Sequence, residues 1–373
     1  MTPTWIDAAI GGTAGLVLSA ALIRWVAPLG WMDHPDTSRK KHARPTARTA
    51  GVALWLMLIA TQSTGRMPFH LDLPDWAAVH FMAFTGLLDD RFNLRARYKA
   101  LAGLAVAVLL AFHVALSLGR TVEYVSFLGL SLPSHPVVLV PVLMLWFWAL
   151  PQAYNLIDGI NGLSMGYAAL LLGVLGWNLG GQPTLFWGGL MAVLALNFPK
   201  ARHFMGDCGA LMMGTFFAIL GLEAFALRDP NLLLWVFAYP IVDVCLVVSI
   251  RYWKHRPLGE ADRSHLHHWM MDRMKGRSWF ATPILLTIAA LPMLHATALP
   301  GHETTSLMGL GVLLVLALKA FKDRVTTRER SEATAQVRRE IPFMVSGSVR
   351  AVSDSVRAVS GGYRAVSGPH PKF

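Results

Sequence analysis

Two adjacent aspartates, Asp89 and Asp90, end an apolar stretch of the chain in the segment GLLDDRFNLRARY. Carboxylates at the edge of a bilayer are costly to desolvate, so their presence there points to a function. Neighbouring side chains on a helix diverge by about 100°, which lets one carboxylate bind a cation while the other accepts a proton. We therefore expect Asp89 to act as a proton acceptor and Asp90 as a metal-side or orienting residue.

Amide and carboxylate oxygens recur in two further segments between apolar runs. The segment NLIDGIN carries Asn155, Asp158 and Asn161 at a spacing of three. The segment FMGDCGA carries Asp207, and Asn197 stands shortly before it. An aspartate just before a helix is also a good N-cap, so capping is an alternative role for Asp207. Oxygen ligands of this kind suit Mg²⁺, a hard cation that bridges protein carboxylates and substrate phosphates.

Cations and imidazoles that suit phosphate oxygens are concentrated in two segments. The first, DHPDTSRKKHARPTARTAG, contains prolines that oppose a continuous helix. The second is DRSHLHH, whose His-x-His spacing also invites zinc; however, the two cysteines lie elsewhere and no HExxH is present. The candidate phosphate-binding residues are Arg39, Lys40 and His42 in the first segment, and Arg263, His265, His267 and His268 in the second.

The composition indicates the elements that must position these groups. Hydrophobic residues make up 54% of the 373 residues and charged residues only 15%, against about 25% charged in soluble domains. We expect an all-α polytopic membrane protein with about eleven transmembrane helices. The apolar segments are 5–29, 49–63, 75–88, 99–118, 136–154, 162–179, 183–198, 210–227, 231–250, 280–299 and 304–321.

The distribution of lysine and arginine predicts the orientation of these helices. With the N-terminus outside, 28 of these residues fall in cytoplasmic segments and only Arg66, Arg120 and Arg228 outside. Such an asymmetry is typical of the cytoplasmic side of membrane proteins. The net charge of +11 is then explained without nucleic acid as a partner. The C-terminus is cytoplasmic in this arrangement, and every polar cluster lies on the cytoplasmic face.

The end of the chain differs in kind from the rest. We expect a transmembrane domain over residues 1–321 and a basic cytoplasmic tail over residues 322–373. The tail contains SVRAVSD, SVRAVSG and GYRAVSG, a heptapeptide repeat. It could form a basic amphipathic helix on anionic lipid. We expect disorder instead, because serine, glycine and valine are poor helix formers.

Five motifs occur in one order along residues 32–268: DHPDTSRKKHARPTARTAG, LLDDRF, NLIDGINGL, FMGDCGA and RSHLHH. Together they resemble the polyprenyl-phosphate N-acetylhexosamine-1-phosphate transferases of glycosyltransferase family 4. The RKKH and DRSHLHH motifs are more similar to the WecA/TagO branch than to the branch that uses UDP-MurNAc-pentapeptide. The sequence departs from the pattern at Asn161, where many members have aspartate, and at Ala50 and Ala210.

The resemblance implies a reaction and its participants. A family member transfers N-acetylhexosamine-1-phosphate, most often that of N-acetylglucosamine, from a UDP-sugar to undecaprenyl phosphate and releases UMP. The reaction uses Mg²⁺, with Mn²⁺ as a possible substitute, on the cytoplasmic face of the bacterial inner membrane, and it starts a cell-surface glycan. A homodimer is a further expectation. The alternatives are a phospho-MurNAc-pentapeptide transferase and, in a different class, an ion-coupled transporter.

The resemblance also assigns roles to matching positions. Asp89 and Asp90 match the paired aspartates, and Asp207 matches the magnesium aspartate. Asn155 and Asp158 match the nucleotide-side motif, in which we count Asp158 as a catalytic candidate. The three histidines of RSHLHH match the histidine motif, and we expect them to bind phosphate.

Overall fold

The computed structural model describes residues 4–33, 45–257, 263–297 and 304–325. Within them the chain is dominated by helices, as predicted. Two small antiparallel sheets accompany them, β1 (Met32–Asp33) with β2 (Thr46–Ala47) and β3 (Tyr124–Phe127) with β4 (Leu130–Pro133). The helices are α1 (Thr4–Ala21), α2 (Ala50–Ser63), α3 (Leu73–Phe92), α4 (Ala96–Thr121), α5 (Pro136–Leu156), α6 (Leu163–Asn178), α7 (Thr184–Asn197), α8 (Gly206–Phe225), α9 (Leu232–Val236), α10 (Ala238–Trp253), α11 (Leu266–Arg273), α12 (Ser278–Met293) and α13 (Thr304–Val325).

All eleven predicted apolar segments are helical where they are described. Among the described residues, six stretches are long and apolar enough to cross a membrane, and α2, α6 and α7 are shorter apolar helices. The molecule is therefore an all-α membrane protein, while the count of eleven spans stays a prediction. The six long stretches are Thr4–Leu29, Ala96–Thr121, Pro136–Leu156, Gly206–Phe225, Ser278–Thr297 and Thr304–Val325. The tail repeats lie outside the described residues.

The predicted segment 231–250 is not one helix. It divides into α9 and α10 at Phe237. Pro240 explains the division, because a proline has no N–H and its ring clashes with the carbonyl group four residues earlier, here that of Val236. The hydroxyl of Tyr167 donates a hydrogen bond to the Val236 oxygen at 2.9 Å, so the freed carbonyl group has a partner inside the protein.

Helix α8 is the central helix of the bundle. Every residue from Cys208 to Leu222 is buried, and α8 packs against α2, α3, α5 and α6. Glycines permit the close approach. A Cβ on Gly51 of α2 would lie 2.2 Å from the amide nitrogen of Gly209, and one on Gly214 would lie 2.7 Å from the Cα of Pro151 in α5. Small residues at helix contacts are the usual means of close packing in membranes.

Glycines also hold α1 against α7. A Cβ on Gly11 would lie 1.9 Å from the carbonyl oxygen of Leu185, and one on Gly188 would lie 2.1 Å from that of Ala8. Any side chain at these positions would therefore push the two backbones apart.

We expect Gly11→Ala to lower the free energy of unfolding by about 1–3 kcal/mol, the usual cost of overpacking. Gly12→Ala is the matched control in the same helix, because its methyl group would lie 3.7 Å from the nearest atom, the carbonyl oxygen of Gly188. Thermal or SDS-induced unfolding in detergent measures both variants. Equal stability of the two would contradict the packing described here.

Candidate active site

The C-terminal end of α3 reaches the start of α8 through Gly86. A Cβ on this glycine would lie 2.2 Å from the carbonyl oxygen of Asp207 and 2.5 Å from the amide nitrogen of Cys208. The contact is between backbones, so α3 passes directly over the first turn of α8. Asp89 and Asp90, one turn further along α3, are thereby brought to Asp207.

Asp90 holds the first turn of α8. One oxygen of its carboxylate accepts the N–H of Asp207 at 3.0 Å and the other accepts that of Cys208 at 2.9 Å. Gly206 has a φ of +67°, and a Cβ there would lie 2.5 Å from an oxygen of Asp90. Asp207 lies in the first turn of α8 and is not its N-cap. The capping alternative for Asp207 is therefore wrong, and Asp90, from another helix, satisfies those N–H groups.

Lys99 joins the other two carboxylates. Its ammonium nitrogen lies 3.1 Å from Oδ2 of Asp89 and 2.7 Å from Oδ2 of Asp207. The amide of Asn155, in the last turn of α5, donates to the same Asp207 oxygen at 3.5 Å. No motif pointed to Lys99, which is the fourth residue of α4. The signal that could have found it is a lysine that opens an apolar helix ten residues after an acidic pair.

Asp158 lies in the turn between α5 and α6, beside the same helix start. Its carboxylate is hydrogen-bonded by the hydroxyl of Ser164 and by the backbone N–H of Gly206. Burial raises the pKa of Asp158 to about 7. Asp90 and Asp158 thus hold the backbone at residues 206–208, while Asp89 and Asp207 share the ammonium group of Lys99. The structure therefore brings all four predicted aspartates together.

Two predicted binding residues are engaged with the backbone. The oxygen of Asn197 accepts the N–H of Gly162 at 2.6 Å, and its amide group donates to the carbonyl of His203 at 2.8 Å. The amide of Asn161 donates to the carbonyl of Pro199 at 3.0 Å. These contacts tie the turn after α5 to the segment before α8. A role in substrate binding for either residue stays a prediction.

Two short strands flank the predicted basic loop. Asp33 and Thr46 are paired across β1 and β2, and Arg48 forms an ion pair with Asp33. The strand β2 continues into a parallel bridge between Ala47 and His203, four residues before Asp207. The described residues on both sides of this segment are therefore close to the start of α8. The candidates Arg39, Lys40 and His42 lie outside the described residues.

The three predicted histidines form one cluster. The ring centroids of His265 and His267 are 5.3 Å apart, and those of His267 and His268 are 4.2 Å apart. Burial lowers the pKa of His267 well below its ordinary value, so this ring is neutral at neutral pH. Arg263 lies 3.3 Å from the carboxylate of Asp272 in α11.

Asp243 completes this cluster, although no motif pointed to it. It is buried and lies 2.7 Å from Nδ1 of His265. Asp243, His265 and His267 each offer a ligand atom within 4.8 Å of the others, which is the arrangement that the zinc alternative would use.

Comparison with known proteins finds similarity to one family. Residues 75–224 match the model of glycosyl transferase family 4. A protein of Bacillus subtilis named probable undecaprenyl-phosphate N-acetylglucosaminyl 1-phosphate transferase is 26% identical over 304 residues, which cover 76% of this chain and 82% of that protein. Two proteins named undecaprenyl-phosphate alpha-N-acetylglucosaminyl 1-phosphate transferase are also similar. The one from Escherichia coli K12 is 26% identical over 79% of this chain and 82% of its own length, and the one from Thermotoga maritima is 27% identical over 74% and 84%.

We expect Gly86→Ala to reduce transferase turnover about a hundredfold, because a shift of about 1 Å in catalytic groups can cause a loss of that size. The new methyl group would lie 2.2 Å from the Asp207 backbone, so α3 and α8 must separate. Gly173→Ala is the control, since a Cβ there meets no atom within 4 Å. Turnover is measured on folded, detergent-solubilised protein. Similar turnover in the two variants would argue against the backbone contact as the element that aligns the carboxylates.

Proposed function

We propose that this chain, a member of glycosyl transferase family 4, transfers N-acetylglucosamine-1-phosphate from UDP-N-acetylglucosamine to undecaprenyl phosphate and releases UMP. The observation that carries the proposal is the convergence of Asp89, Asp90, Asp158 and Asp207 at the start of α8, where Lys99 bridges Asp89 and Asp207. The names of the relatives supply the acceptor and the sugar phosphate. The family model covers the segment that contains all five residues.

The proposal includes an orientation in the bacterial inner membrane. The N-terminus is outside, eleven helices cross the membrane, and the site faces the cytoplasm, where UDP-sugars are available. The excess of lysine and arginine on one side supports this orientation. The 20 residues of α3 separate Asp75 in the first turn from the Asp89–Asp90 pair by about 20–25 Å at 1.5 Å per residue, so the two carboxylate groups lie at opposite ends of this helix.

We propose Mg²⁺ as the cofactor and Asp207 as its ligand, with Mn²⁺ as a substitute. The residues present fit a metal ion, because the carboxylates of Asp89 in α3 and Asp207 in α8 approach one position. The ammonium group of Lys99 contacts both of them. Asp90 was also predicted as a ligand, but both of its oxygens accept backbone N–H groups, so we assign it the orienting role. When bound, Mg²⁺ would offset the negative charge of the diphosphate.

The reaction requires two anions to approach each other. An oxygen of the lipid phosphate attacks the β-phosphorus of the UDP-sugar, the bond from that phosphorus to the bridging oxygen breaks, and UMP leaves. Asp89 accepts the proton of the lipid phosphate. Lys99 offsets charge, the histidine cluster stays the candidate for binding phosphate, and the fixed carboxylates hold their partners in position. We prefer this one-step route; a trapped covalent adduct on Asp89 or Asp90 would support a two-step route instead.

The position of the acidic residues argues against an ion-coupled transporter. Transporter sites usually lie near the middle of the bilayer. Here Asp89 and Asp90 are in the last turn of α3, Asp207 is in the first turn of α8, and Asp158 lies in the turn between α5 and α6. A cluster at helix ends suits substrates that meet at the membrane surface.

The direct test is UMP release by detergent-solubilised protein supplied with UDP-N-acetylglucosamine, undecaprenyl phosphate and Mg²⁺. We expect UMP and lipid-linked sugar in equal amounts, and we expect Asp207→Asn to lose about a hundredfold or more of this activity, as when other transition-state contacts are removed. Asp75→Asn, which removes a buried carboxylate at the other end of α3, is the control and should retain activity. UMP release without lipid, or only from UDP-MurNAc-pentapeptide, would refute the proposal.

A second test concerns the cation position and needs no turnover. Lys99→Met leaves Asp89 and Asp207 without the cation that they share, so we expect a lower melting temperature in EDTA. Added Mg²⁺ should restore the charge balance and stabilise this variant more than the unaltered protein. Lys200→Met, which removes an exposed lysine, should show the response of the unaltered protein. An equal change of melting temperature with Mg²⁺ in all three proteins would contradict a metal site at this position.

A further inference from the structure

Asp243 is a buried carboxylate of α10 whose two oxygens both point to the start of α11. One oxygen lies 2.7 Å from Nδ1 of His265, and the other accepts the backbone N–H of Leu266 at 2.6 Å. An ionised carboxylate only accepts hydrogen bonds, so Nδ1 of His265 carries the proton. A buried charge requires such partners, because an unpaired one is strongly destabilising. Asp243 therefore fixes both the tautomer of His265 and the first turn of α11.

The contacts continue from α11 to the turn that carries Asp158. The rings of His265 and His267 are stacked, with an interplanar angle of 19°. His267 is wholly buried, and neither of its ring nitrogens has a hydrogen-bond partner within the described part of the chain. A Cβ on Gly159 would lie 2.0 Å from Nε2 of His267. The imidazole thus occupies the space that a side chain at position 159 would need, directly beside Asp158.

We propose that Asp243 is a positioning residue for the sugar-nucleotide side of the site. By holding His265 and the start of α11, it seats His267 against Gly159 and so fixes the turn between α5 and α6. The inference rests on the proposed function, because that turn carries Asp158 and directly follows Asn155 on the nucleotide side. Asp243 touches no reacting atom and acts only through His265 and α11.

The variant Asp243→Asn distinguishes this role from simple packing. Asparagine has nearly the same shape but only one acceptor oxygen and an NH₂ group that donates. Its NH₂ group would face either the N–H of Leu266 or Nδ1 of His265. The second arrangement is satisfied only when the proton of His265 moves to Nε2. We therefore expect ¹⁵N-histidine spectra to show His265 protonated at Nδ1 in the unaltered protein and at Nε2 in the variant, with His265→Gln supplying the assignment.

A double-mutant cycle tests whether Asp243 acts through His265. Asp243→Asn alone should raise KM for UDP-N-acetylglucosamine at least tenfold and leave KM for undecaprenyl phosphate unchanged. In the His265→Gln background the same substitution should raise this KM by less than about twofold, since the effects of coupled residues are not additive. Asp75→Asn should change neither constant. Gly159→Ala displaces His267 from the opposite side and should cause the same selective rise in KM for UDP-N-acetylglucosamine. This variant tests the proposal even when Asp243→Asn does not fold.

The outcomes separate this proposal from the proposed function. Additive effects of Asp243→Asn and His265→Gln, equal effects on both substrates, or an unchanged His265 tautomer would overturn the positioning role. Stoichiometric zinc in the purified protein that is lost on His267→Ala would also overturn it and assign a metal centre instead. Absence of UMP release from every UDP-sugar would refute the proposed function, while the tautomer of His265 would still decide whether Asp243 holds it.

Discussion

The backbone N–H groups at the start of α8 are the constraint on which the rest of the site depends. The first N–H groups of a helix have no partner within it, and they carry a partial positive charge. Helix α8 is buried from Cys208 to Leu222, so these groups must be satisfied by the protein. Asp90 from α3 and Asp158 from the turn before α6 do so. Three separate parts of the chain are thereby held around Asp207.

This arrangement gives the four aspartates two different tasks. Asp90 and Asp158 are bonded to backbone groups, which fixes their carboxylates in place. Asp89 and Asp207 are bonded to an ammonium group at the end of a flexible four-carbon stem. One pair is thus rigid and the other shares a cation that can move. The metal and the diphosphate of the proposed reaction would need both properties.

Much of this arrangement could be predicted from the sequence. Hydrophobic runs predicted the helices, because a membrane helix must be apolar over its length, and polar residues at their ends predicted the cluster. The sequence could not predict which carboxylate meets which group. That depends on the backbone contact at Gly86, where α3 crosses α8, and such a contact leaves no periodic signal. The same limit applies to Phe237, where Pro240 interrupts a segment that is largely apolar.

The residues that the motifs did not reveal, Lys99 and Asp243, have a feature in common. Each is an ionisable residue of a predicted apolar segment, Lys99 at the start of 99–118 and Asp243 inside 231–250. An ionisable residue within an apolar helix is costly and is seldom kept without a partner. In the structure each has one: Lys99 meets two carboxylates, and Asp243 meets an imidazole and a helix start. Motifs mark groups that are close in sequence, whereas an isolated charge in an apolar helix marks a contact between distant parts of the chain, and the site is built from both.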